Sequence, residues 1–246
     1  MSAQKDSAAA ALDCSWRNLC VIGGTTALLA VALVPAEVVI GFLPGVEDKV
    51  ARTVTVIDWF TLFQNHAFLA LRNLGLLNMV GVVLLIPTML AIYSVLKRDG
   101  EAYAALGTIL FFVGITIYLA GSRAFPMLFL SHQYASTTTE AQRSMLIMAG
   151  QVMLVQGKSR AGILLIEFAC LVISLVMLRG KVFSKATGWA GVLGNSLMML
   201  LEIAFMPPHG VGMAVAAGGG LSIMTWYFLT GRRLLQVRRV SIADPG

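Results

Sequence analysis

The stretch Leu76–Gly121 reads LLNMVGVVLLIPTMLAIYSVL over 76–96, KRDGEA over 97–102 and YAALGTILFFVGITIYLAG over 103–121. Its apolar runs of 21 and 19 residues each match the length a helix needs to cross a hydrocarbon core. Between them sit Lys97, Arg98, Asp99 and Glu101, too few residues for anything but a turn. An amphipathic helix of a soluble domain would carry a polar face. These runs are apolar all round, so they read as two membrane-spanning helices joined by a charged turn.

Working outward, Leu19–Leu43, Ala161–Leu178, Thr187–Met206 and Val211–Leu229 repeat the pattern. The expected fold is all-α, a polytopic membrane protein with six transmembrane helices in one domain over residues 1–246. Residues 1–16 and 240–246 are expected to be its cytoplasmic tails. The composition agrees: 246 residues, 58% hydrophobic and 12% charged, with a mean hydropathy of +0.82. Soluble domains carry about 25% charged residues. Asp6 and Asp13 before a long apolar run argue for a retained first helix, not a cleaved signal. Cys14, Cys20 and Cys170 show no CxxC spacing and predict no disulfide.

Two more segments are apolar but mixed or short. Arg52–Leu74 contains Asp58, His66 and Arg72, and Ser144–Gly157 is too short to span. Both are expected to be amphipathic interfacial helices on the outer side, the second opened by a Thr137–Glu140 capping box.

Orientation follows the excess of Lys and Arg on the cytoplasmic side. With the N-terminus inside, Lys5, Arg17, Lys97, Arg98, Arg179, Lys181, Lys185, Arg232, Arg233, Arg238 and Arg239 are cytoplasmic, 11 of the 18 basic residues. The other 7, from Lys49 to Arg160, are outside. Both termini are therefore expected inside. The net charge of +6 is accounted for by topology, with no nucleic-acid partner implied. Gly231–Arg239 continues the last span as a basic turn, for which anionic inner-leaflet lipid is the natural partner. Gly107, Gly114 and Gly121, then Gly188, Gly191 and Gly194, then Gly212, Ala216 and Gly220, have the spacing of close helix packing.

The ionisable residues within spans are the candidates for chemistry. Glu37, Glu167 and Glu202 each fall roughly 6–9 Å below the outer boundary, where a carboxylate facing lipid would be costly. They are expected to line an outward-facing acidic cavity, with Arg123 or Arg160 as counter-ions and Asn78 and Tyr118 as further polar groups. His66, His132 and His209 share the outer side and could hold zinc or iron. No HExxH, GxSxG or complete phosphate-binding loop occurs; Gly157-Lys158-Ser159 lacks the upstream glycine, since position 152 is Val152.

Two local stretches, Asp58-Trp59-Phe60-Thr61-Leu62-Phe63 leading to Leu76-Leu77-Asn78, and Leu178-Arg179-Gly180-Lys181-Val182-Phe183-Ser184-Lys185 followed by Gly188-Trp189-Ala190-Gly191, are carried by a six-span chain of this length. Over about residues 17–237 the sequence resembles the uncharacterised bacterial family called domain of unknown function 4386. The resemblance implies a bacterial inner-membrane protein and carries no catalytic residues. Three functional readings follow. The first is binding or transport of a small molecule or lipid at the acidic cavity. The second is a membrane-embedded metal-dependent hydrolase using the outer His and Glu residues. The third is an accessory subunit of a membrane complex.

Overall fold

The computed structural model describes residues 2–41, 55–156, 159–203 and 209–243, leaving the side chains of 2–15, 37–39, 41, 98, 156, 209 and 237–243 outside that description. Among the described residues there are eight helices and no strand: α1 (Ser2–Gly41), α2 (Val56–Asn73), α3 (Leu76–Ala120), α4 (Ala124–Ser136), α5 (Glu140–Gln156), α6 (Arg160–Arg179), α7 (Lys185–Ile203) and α8 (His209–Ala243). Among the described residues, five segments are long and apolar enough to cross a membrane: Trp16–Ala36, Leu76–Lys97, Asp99–Ser136, Glu140–Arg179 and Gly210–Gln236. The chain is thus a multi-pass integral membrane protein. Of the six expected spans, α7 is the one not in this set. Its Gly188, Gly191, Gly194, Asn195 and Glu202 dilute its hydropathy, and the first four of these are buried against other helices.

The helices divide into two compact units. The first comprises Met1–Ala32, Val82–Ile115 and Ala161–Gly246, and its side-chain pairs fix the direction of every helix in it. Cys20 Sγ lies 3.9 Å from Ser94 Oγ and Thr26 Oγ1 3.0 Å from Thr88 Oγ1, so α1 runs antiparallel to the first half of α3. Gly24 faces Leu235 and Leu28 faces Gly231, making α1 and α8 antiparallel. Gly194 meets Ile223 and Gly191 meets Trp226, which does the same for α7 and α8. Leu178 packs on Gly188 and Ser174 on Gly191, pairing α6 with α7. Ile173 packs on Gly107 and Ile166 on Gly114, pairing α6 with the second half of α3. These registers agree only if α3 reverses direction, which it does at Gly100 (φ 178°, ψ 69°). The apolar runs 76–96 and 103–121 are therefore antiparallel neighbours in chain order. The glycine seams at 107/114 and 188/191/194 pack helices against helices, as their spacing predicts.

The second unit comprises Leu33–Gly81 and Thr116–Arg160. Val56, Phe60, Phe63, Ala70, Ala124 and Met127 form its core, with Trp59, Tyr134, Ile147 and Leu154 packed around them. Each buried Phe contributes about 1.5–3 kcal/mol here. The Phe60 and Tyr134 rings lie 5.2 Å apart, and Ser131 Oγ donates to the Phe60 carbonyl at 3.0 Å. The amphipathic segments Arg52–Leu74 and Ser144–Gly157 thus become α2 and α5, and they share a core with a third short helix, α4, that the sequence reading leaves unassigned.

One capping expectation is corrected. Thr137 does not open α5; its hydroxyl donates back to the Gln133 carbonyl at 2.7 Å, closing α4. The capping box lies instead at Thr55–Asp58, where the Asp58 N–H donates to Thr55 Oγ1 (3.2 Å) and the Thr55 N–H donates to Asp58 Oδ2 (2.8 Å). Gly75, at φ 102°, then joins α2 to α3 in a left-handed turn that side chains disfavour.

Candidate functional site

The α6 sequence buries one stripe of residues at helical spacing: Glu167, Cys170, Ser174 and Met177. Positions three and four apart share a face, so the apolar packing that buries Met177 also carries Glu167 into the bundle. Ser174 Oγ donates to the Cys170 carbonyl at 2.7 Å, and Trp226 Nε1 on α8 donates to Met177 Sδ at 3.4 Å. The α6–α7 register of 178 with 188 and 174 with 191 extrapolates to the far end of α7 beside Glu167. Glu202 is there, within electrostatic reach of Glu167. Tyr227 on α8 lies within hydrogen-bonding reach of Cys170.

Glu167 is 6% exposed, and its Oε2 has no hydrogen-bond partner. Asn195 on α7 is also buried, but it is satisfied locally by donating Nδ2–H to the Gly191 carbonyl at 2.7 Å. The first unit therefore holds two carboxyls from two helices, with a thiol and a phenol close by. Such a set can hold a proton or a cation, or accept hydrogen bonds from a polar ligand.

The remaining expected site residues distribute as follows. Arg123 and Tyr118 are in the second unit, where they line a cavity of about 20 Å³ with Leu74, Met79, Gly121, Ser122 and Ser159. That is room for a single water. Arg123 Nη1 donates to the Leu154 carbonyl at 3.0 Å, so it ties α5 to the start of α4. Arg160 opens α6 and is exposed; Asn78 is exposed on α3. His66 and His132 are both exposed, and His66 sits at a break in α2 (φ −146°, ψ 64°). The side chains of Glu37 and His209 lie outside the described residues. Among the described residues no group of three His, Cys, Asp or Glu is gathered as a metal site.

Sequence reasoning did not count Cys170 or Tyr227 among the site residues. The signal was present: Cys170 follows Glu167 by three positions, so a buried Glu167 takes Cys170 with it. No curated protein and no solved structure matches the chain. The model of a family described as a domain of unknown function (DUF4386) matches residues 21–231.

Proposed function

The chain belongs to the DUF4386 family, and from that premise we propose that it is a six-span protein of the bacterial inner membrane. In this reading both termini are cytoplasmic, and Glu167 and Glu202 bind a cation or a cationic small molecule in the course of transport. The observation that carries it is the pairing of two carboxyls from α6 and α7, one of them buried with an unpartnered oxygen. A bilayer tolerates such a pair when a proton or a bound cation offsets the charge. The six-span count is supported by the alternating helix directions of the first unit, in which α7 runs antiparallel to both α6 and α8.

The test is cation-dependent thermal stabilisation of the purified chain, titrated with sodium, potassium, magnesium and tetramethylammonium. Wild type is expected to gain stability with one of these, and Glu167→Gln or Glu202→Gln to lose the effect. A double Gln variant that responds like wild type rejects the site. A C-terminal green fluorescent protein fusion tests the span count separately: six spans from a cytoplasmic N-terminus give fluorescence, five give none.

A further inference from the structure

A second cavity, of about 400 Å³, lies at the opposite end of α6 and α7 from the acidic pair, lined by Lys181, Arg232 and Arg233 and by Ser184, Thr187 and Gln236. Val182, Phe183 and Leu229 supply its apolar wall, and among the described residues no Asp or Glu lines it. Three cations in one cavity repel one another unless an anion offsets them.

The cavity is built rather than incidental. Arg233 Nε donates to the Val182 carbonyl at 2.6 Å, fastening the last third of α8 to the α6–α7 loop. The Thr187 N–H donates to Ser184 Oγ at 3.1 Å, so Ser184 caps α7, and the two hydroxyls lie 2.9 Å apart. Thr187 is 2% exposed. The positive end of a 19-residue helix is thereby turned toward the same space as the three basic side chains. Lys185 is not part of the set, because its ammonium donates to the Leu178 carbonyl.

We propose that this cavity is a phosphate-binding site, in which Lys181 and Arg232 hold a phosphate group over the N-terminus of α7. Arg233 keeps the cavity formed. The phosphate can come from an anionic phospholipid headgroup or from a soluble phosphate ester. A pocket that takes one headgroup differs from diffuse attraction to an anionic surface, which any basic tail provides. The proposal does not depend on the acidic pair.

The test uses the full chain in detergent, with two double variants. Lys181→Gln/Arg232→Gln empties the cavity of two charges and leaves the Arg233–Val182 tie intact. Arg238→Gln/Arg239→Gln removes two charges further along the same tail. Native mass spectrometry with phosphatidylglycerol and phosphatidylcholine reads lipid retention, and thermal shift with glycerol phosphate reads the soluble arm. Wild type is expected to prefer phosphatidylglycerol or to be stabilised by glycerol phosphate. The cavity variant is expected to lose that response on the order of tenfold, and the tail variant to change it by less than about twofold. Retention of lipid alone assigns a headgroup site; stabilisation by glycerol phosphate assigns a soluble phosphate. Equal loss in both variants, or no response to either probe in wild type, overturns the proposal.

Discussion

A buried carboxyl oxygen without a hydrogen-bond partner costs about 1–3 kcal/mol, and Glu167 Oε2 is in that position. Glu167→Leu is therefore expected to stabilise the purified chain by about 1–2 kcal/mol. The same variant should lose any cation-dependent stabilisation. A drop in melting temperature would instead give Glu167 a structural role. Gly191 makes the opposite case. A β-carbon there would sit 2.6 Å from Trp226 Nε1 and even closer to Ser174 Oγ, so Gly191→Ala should destabilise by about 1–3 kcal/mol. Melting followed by tryptophan fluorescence reads both variants.

At the scale of elements, helix contacts decide which small residues matter. A β-carbon at Gly219 would come within 3.1 Å of Met198 Sδ, whereas one at Gly220 meets nothing within 4 Å. Gly219→Leu is thus expected to disrupt the α7–α8 pair, and Gly220→Leu to be tolerated. Monodispersity on size exclusion separates the two, and equal behaviour would refute the register. The sequence spacing of Gly212, Ala216 and Gly220 suggested the neighbouring face, because a Gly218-Gly219-Gly220 run presents glycine on most sides of a helix. Spacing was decisive at Gly107 and Gly114, where bulky residues flank each glycine. Similarly, Thr-x-x-Glu at 137–140 and Thr-x-x-Asp at 55–58 look alike in sequence. The chain closes α4 with the first Thr and opens α2 with the second.

At the scale of the molecule, the two units have separate cores. Phe60→Ala should cost about 3–5 kcal/mol within the second unit. Hydrogen exchange is then expected to rise over 56–74 and 124–156 while 185–230 stays protected. A uniform rise would mean one cooperative core. Membrane character and most of the apolar runs were legible in the sequence, because bilayer thickness sets run lengths. The candidate site was legible only in part. The depth of Glu167 and Glu202 predicted a shared layer, but chain spacing says nothing of which helices are neighbours. That information lies in the α6–α7 register, which also brings the basic cavity together. The reversal at Gly100 bears, finally, on biogenesis. With so little chain between the two runs, the second helix starts tethered to the end of the first. The pair is therefore expected to settle in the bilayer as a helical hairpin, whichever run enters first.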